Sequence, residues 1–186
     1  MPYIEFEGRK IGDSQNIVGE LGRAFGVTLD DGFDAETLAR GHAVRRMLEE
    51  GTYWSLVHDR WVRASGWAVY RPVFLGILPP LVGSLILPLL RRRVRGALEA
   101  QGTGRHTADE IDALGTADID ALAALLGDRP FFLGDRPASV DATIYAFVLS
   151  IAGFPAESRL GTAVASHPNL VAYRTRMADW FWPSQG

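Results

Sequence analysis

The sequence predicts a mainly α protein, a helical bundle preceded by a β-hairpin and one helix. Apolar residues recur at helical spacing over most of the chain beyond residue 33, whereas period-two alternation is confined to the first 12 residues. No repeat, heptad array or low-complexity tract interrupts the pattern. With 186 residues and 47% hydrophobic content, the chain can bury a substantial core.

Tyr3 to Phe6 alternate as a half-buried strand, with Ile4 and Phe6 on one face and Tyr3, Glu5 and Glu7 on the other. Glu7-Gly8 turns the chain into a short second strand around Lys10 to Gly12. From Ser14 to about Leu21, Ile17, Val18 and Leu21 fall at helical spacing, with Ser14 or Asp13 as N-cap and Gly22 and Gly26 as the close. Residues 1–26 form this first unit, too small to fold alone. Its first strand has an open edge, so dimerisation through that edge or fraying of the first 12 residues is expected.

Residues 33–186 carry the helical domain, after a linker from Val27 to Phe33. Asp34 caps a helix running from Ala35 towards Trp61. Leu38, His42, Met47 and Leu48 open its inward stripe, and Arg45–Glu49 and Arg46–Glu50 are spaced as exposed pairs. Pro72, Pro79, Pro80 and Pro88 limit the next segment to short helical turns, until a helix resumes from Leu89 to Ala100 with Arg91, Arg92, Arg93 and Arg95. Thr107 and Glu110 are spaced as a capping box. They open a helix whose Ile111, Leu114, Ile119, Leu122, Leu125 and Leu126 form an apolar face up to Gly127. Another helix follows Ser139 through Ile144, Phe147, Val148 and Ile151 to the break at Gly153-Phe154-Pro155. The last begins near Pro168, carries Leu170, Tyr173, Met177 and Phe181, and stops at Pro183.

Composition excludes several function classes. The 19 Lys and Arg against 22 Asp and Glu give a formal charge of -3, without the basic surplus that phosphate neutralisation needs, so no nucleic-acid partner is expected. The absence of cysteine removes disulfides, thiolate catalysis and Cys-based zinc sites. His42, His58, His106 and His167 are scattered without metal-ligand spacing, and no metal is expected. The N-terminus carries no secretory signal, which makes a cytoplasmic location the expectation. The uncharged stretch Val73 to Leu90, followed by Arg91-Arg92-Arg93, has the outline of a membrane span with a basic flank. Its prolines break a single spanning helix, leaving apolar packing under a loop of the bundle, with peripheral membrane contact or partner docking as the alternative.

The segment Pro130-Phe131-Phe132-Leu133-Gly134-Asp135-Arg136-Pro137-Ala138-Ser139-Val140-Asp141-Ala142-Thr143 resembles the glutathione S-transferase signature in which a Leu-Gly-Asp turn leads into a capped, buried helix. Asp141 matches the family's capping Asp, while Ala138 stands where the family has a hydroxyl. Either Ser139 caps from one position later or the box is half lost, a change of roughly 1 kcal/mol. His167-Pro168-Asn169-Leu170 and the aromatic-rich helix after it resemble the family's C-terminal close. With Pro2-Tyr3-Ile4 and Asp13-Ser14, the resemblance covers essentially the whole chain. "Ile-Gly-Asp-Ser" and "Phe-Phe-Leu-Gly-Asp" are similar to the metaxin and failed-axon-connections branch.

The resemblance implies a glutathione S-transferase C-terminal-like helical bundle after a partial thioredoxin-like unit, with glutathione as substrate and a possible homodimer. Pro2 matches the proline that opens the family's third strand, so the preceding βαβ unit, with the catalytic Tyr, Ser or Cys that activates the thiol, is expected to be missing from this sequence. A start site further upstream would instead make the sequence a fragment of a complete transferase. The catalytic residue is therefore unassigned. By the same resemblance Ser14 binds the γ-glutamyl carboxylate and Asp13 neighbours the ammonium, although simple N-capping accounts for both without a ligand. Tyr53, Trp54, His58 and Trp61, with Trp67 nearby, fall where the family opens a pocket for a small hydrophobic electrophile; an aromatic stripe at this spacing equally serves as core. Two functions are implied: glutathione conjugation, impaired in this chain, or a non-catalytic interaction or membrane-adaptor module of metaxin type.

Overall fold

The computed structural model describes residues 2–182, excepting the side chains of Pro80 and Leu81. Strands β1 (Tyr3–Phe6) and β2 (Arg9–Gly12) pair antiparallel, with Ile4 opposite Ile11 and Phe6 opposite Arg9. Glu7 and Gly8 both take positive φ, 48° and 73°, the turn whose twist suits two right-twisted strands. Helix α1 (Ser14–Phe25) folds back on this hairpin, bringing the Phe25 ring 6.1 Å from that of Phe6. Gly26 ends α1 in the left-handed conformation, φ 64°. Gly22, expected to share that role, lies inside the helix, where its carbonyl accepts the N–H groups of both Gly26 and Val27. The helix therefore runs a turn beyond Leu21.

The next rod runs without interruption from residue 35 to 62 but changes its hydrogen-bond register. It consists of α2 (Ala35–Arg46), a π-helical stretch Met47–Thr52, α3 (Tyr53–Val57) and a second π-helical stretch His58–Val62. Asp34 caps it through the Thr37 N–H at 2.7 Å. Leu38 and His42 face solvent, against expectation; Gly41, Val44 and Leu48 are the inward residues. Gly41 decides this. A Cβ there would stand 3.2 Å from Leu133, so the rod presents its glycine to let the loop before α7 approach. Arg46 pairs with Glu50 at 2.7 Å as its spacing predicts. Arg45 does not pair with Glu49: it donates to Gln15 at 2.7 Å and Ser139 at 3.1 Å, tying α1 to the bundle.

Helices α4 (Ala64–Ile77) and α5 (Pro80–Gln101) fold back on each other across Leu78-Pro79. Pro72 and Pro88 lie inside them, which corrects the expectation of short broken turns. An interior proline costs about 3 kcal/mol locally, but a long packed helix can absorb that loss. Pro80 stands at the first helical position, where its missing N–H has no intrahelical partner to lose. The Val73 to Leu90 stretch does not pack under a loop. Val73, Ile77, Val82, Leu85, Ile86 and Leu89 are exposed, and among the described residues no helix is long and apolar enough to cross a membrane.

After a 3₁₀ turn (Thr103–Arg105), α6 (Ala108–Leu126) opens on the capping box: Thr107 accepts the Glu110 N–H, and Glu110 accepts the Thr107 N–H at 2.7 Å. Leu114 points outward, while Ile111, Ile119, Leu122 and Leu126 are buried. Helices α7 (Ser139–Ala152), α8 (Arg159–Ser166) and α9 (Pro168–Phe181) complete the core. Helix α8 has only eight residues, too short for its periodicity to register in the sequence. Phe181 is exposed, and Pro183 lies outside the described residues. At the start of α7 the half-lost box is what forms. Asp141 accepts the Ala138 N–H at 2.8 Å, while Ser139, in place of capping, donates to Asp30 at 2.6 Å.

Candidate functional site

Two regions carry the sequence-predicted site residues. The first is the start of α1. The Asp13 N–H donates to the Pro2 carbonyl at 3.1 Å, closing the end of the β-hairpin. Asp13 itself takes φ 71° and ψ 131°, a conformation that normally favours glycine and costs a residue with a side chain on the order of 1–3 kcal/mol. Its carboxylate accepts the Gln15 N–H at 2.9 Å and the Asn16 N–H at 3.4 Å, so Asp13 is the N-cap and Ser14 the first helical residue. Ser14 is exposed, and its hydroxyl has no partner among the described residues. The peptide bond before Pro2 lies outside them.

Beside this turn is a concave surface of about 400 Å³ lined by Arg9, Lys10, Gln15, Asn16, Glu20 and Arg23. Glu20 takes ion pairs from both Arg23 and Arg9. Hydrogen bonds from Arg23, then from Arg9, hold its carboxyl below the usual glutamate range. Lys10 pairs only loosely with Glu5, at 3.6 Å. Asp13 and Ser14 do not line this surface; they adjoin it through Gly12 and Gln15, which do.

The second region is the rod between its two π-helical stretches. Such wide turns re-aim side chains and recur at functional sites. Tyr53 is exposed and Trp54 half-buried, their rings edge-on at 5.3 Å. Trp61 belongs to a separate cluster, 5.6 Å from Trp67, 6.1 Å from Tyr70 and 5.2 Å from Phe74. His58 is buried, and its Nδ1 has no hydrogen-bond partner. Burial first, then the Arg63 charge, pushes its pKa below the usual histidine value against the opposing pull of Asp59 and Asp112. Burial therefore favours the neutral form of the His58 imidazole.

Two charged elements are not legible in the sequence. Arg63 donates to Asp59 at 2.8 Å and Asp112 at 2.6 Å, joining the end of the rod to α6. Arg91 donates to the Trp61 and Val62 carbonyls at 2.7 and 3.0 Å and lies 4.7 Å over the Trp67 ring, so it closes the C-terminal end of the rod. The position of Arg91 after an apolar run is a sequence signal; its reach back across the α4–α5 hairpin is not. Among the described residues no cluster of His, Asp and Glu gathers to hold a metal ion.

Comparison with known proteins places these features in a family. Residues 1–66 match the glutathione S-transferase N-terminal domain, and residues 115–177 match the glutathione S-transferase C-terminal domain. The chain is 36% identical over 183 residues to the isoprene-epoxide–glutathione S-transferase of Rhodococcus sp. (strain AD45), covering 95% of this chain and 76% of that protein. It is 29% identical over 198 residues to Failed axon connections of Drosophila melanogaster, and 27% identical over 162 residues to Metaxin-1 of Sus scrofa, covering 98% and 82% of this chain. The chain spans about half the length of these two, 47% and 49%. No solved structure gives a significant match. By both of its domains and by its similarity to the isoprene-epoxide enzyme, the chain belongs to the glutathione S-transferase superfamily, in the branch that also holds Failed axon connections and the metaxins.

Proposed function

We propose that the chain is a glutathione-binding protein that takes the γ-glutamyl end of the tripeptide at the Pro2, Asp13 and Ser14 turn. The observation that supports this most is Asp13. A side chain held at φ 71° beside an open serine hydroxyl is strain that N-capping alone does not require, since an ordinary N-cap residue sits in the extended region. Ser14 donates to the γ-glutamyl carboxylate, and the Asp13 carboxylate faces the ammonium. Tyr53 and Trp54 are the members of the aromatic set open to an electrophile, whereas His58 and Trp61 are held in packing. Because one relative is an isoprene-epoxide–glutathione S-transferase, a small apolar epoxide is the electrophile class to try first. Units 1–26 and 33–186 divide the work between glutathione and electrophile. The thiol-activating residue is unassigned, and impaired conjugation is the outcome this reading expects.

Calorimetric titration of glutathione tests this reading, with Ser14→Ala expected to lower affinity at least tenfold and leave thermal stability unchanged. Equal binding by wild type and Ser14→Ala would sink it. A conjugation assay with a small epoxide should then show turnover near the uncatalysed rate, and rapid turnover would overturn the assignment of impaired catalysis.

A further inference from the structure

Between Arg60 and Leu98 the chain holds seven arginines and no Asp or Glu. Arg60, Arg63 and Arg91 are engaged: Arg60 donates to Ser150, Arg63 to Asp59 and Asp112, and Arg91 to the rod's last carbonyls. Arg71, Arg92, Arg93 and Arg95 are exposed and face no acidic partner among the described residues. On α5 the exposed apolar residues Val82, Leu85, Ile86 and Leu89 fall at i, i+3, i+4 and i+7, which is one helix face. Arg92 and Arg93, at i+10 and i+11, continue that same face. At 1.5 Å per residue, Leu89 lies about 14 Å and Arg92 about 18 Å along α5 from its start at Pro80. On α4, Val73 and Ile77 add apolar surface towards the tip, with Arg71 behind them. Leu85 and Ile77 are 73% and 74% exposed, so the stripe is not the rim of a buried interface within the chain.

We propose that the α4–α5 hairpin is a peripheral docking element for an anionic lipid surface. Its apolar tip enters the boundary between headgroups and acyl chains, while Arg71, Arg92, Arg93 and Arg95 meet lipid phosphates. Charge decides for lipid over a second copy of this chain, because a second hairpin would bring its own four exposed arginines against a single acid, Glu99. The absence of a helix long and apolar enough to span, among the described residues, fits an element that lies in the interface. The proposal is independent of glutathione binding.

Flotation of the full chain with phosphatidylcholine vesicles, with and without about 30 mol% phosphatidylglycerol, tests it at low and high salt. Binding is expected only with the anionic lipid and is weakened by salt. Arg92→Gln/Arg93→Gln should lower vesicle affinity at least tenfold. Leu85→Asp/Leu89→Asp, at two solvent-facing positions, should abolish binding while leaving the thermal midpoint and circular dichroism unchanged. Three outcomes overturn the proposal: no flotation of the wild type, flotation that survives Leu85→Asp/Leu89→Asp in a folded variant, or a dimer in light scattering that this variant dissociates.

Discussion

The Tyr173 hydroxyl donates to Asp141 Oδ1 at 2.9 Å, with both residues fully buried. Asp141 also accepts the N–H groups of Ala138 and Phe132 at 2.8 and 3.1 Å, so one carboxyl joins the loop at Phe131-Phe132, the start of α7 and the middle of α9. Burial raises its pKa, and these three hydrogen bonds pull it back only in part. Burial also pushes the Tyr173 hydroxyl upward, with the neighbouring Asp141 adding to the shift. The pair sits where the hydroxyl of a complete capping box is lacking.

Tyr173→Phe should cost about 1.5–3 kcal/mol, the value of one buried bond to a carboxyl. Asp141→Ala should cost about 3–4 kcal/mol, because it leaves the Ala138 and Phe132 N–H groups buried without acceptors, while the Tyr173 hydroxyl keeps the residue 141 carbonyl at 3.1 Å. Urea unfolding measures both; a loss below about 1 kcal/mol for Asp141→Ala would show that the loop rearranges.

Gly66 and Gly96 make a paired test. A Cβ on Gly66 would stand 1.9 Å from the Asp59 carbonyl oxygen, so Gly66→Ala must push α4 off the end of the rod, at about 2–4 kcal/mol. Gly96 meets nothing within 4 Å, and Gly96→Ala on the exposed side of α5 should stabilise by about 0.5–1 kcal/mol. The sign of the two changes in thermal midpoint is the check.

Arg63 neutralises Asp59, which is buried, and Asp112, which is nearly so. Arg63→Met keeps most of the volume and leaves both carboxylates unpaired, at about 3 kcal/mol. Asp59→Asn/Asp112→Asn in the Arg63→Met background should recover part of that loss, which chemical denaturation would reveal.

His58 gives a pH dependence of defined sign. Its folded-state pKa lies below 6.5, so in acid the unfolded chain binds a proton that the folded chain refuses. This contribution is fully present above that value, and stability declines as pH falls below it towards the lower folded pKa, at up to about 1.4 kcal/mol per pH unit. The unfolding free energy of His58→Gln should fall less steeply between about pH 6.5 and pH 5 than that of the wild type. Parallel curves would remove His58 from the account.

Most elements are legible in the sequence because their signals are local. Alternation in Tyr3–Phe6, the capping boxes at Thr107 and Asp141, and the glycine at position 26 each act over a few residues. The departures share one cause. Leu38 and His42 read as inward because helical periodicity fixes the spacing of a stripe but not its rotation, which the contact of Gly41 with Leu133 sets. Pro72 and Pro88 read as breaks because their local cost is visible in the sequence, whereas the packing of a long hairpin against its neighbours is not. At the candidate site, Asp13 and Ser14 are visible as a motif. The positive φ of Asp13 is not, since nothing in the Gly-Asp-Ser motif requires it.

The sequence by itself determined the class of fold, the placement of most of its helices and the family to which the chain belongs, because patterning, caps and turn residues act through bonds between near neighbours. Only the tertiary structure decided which faces are buried, which arginines are paired, and that Val73, Ile77, Val82, Leu85, Ile86 and Leu89 lie outward while Leu87 is buried. Those outcomes depend on contacts between residues tens of positions apart, and no local pattern encodes which partner arrives.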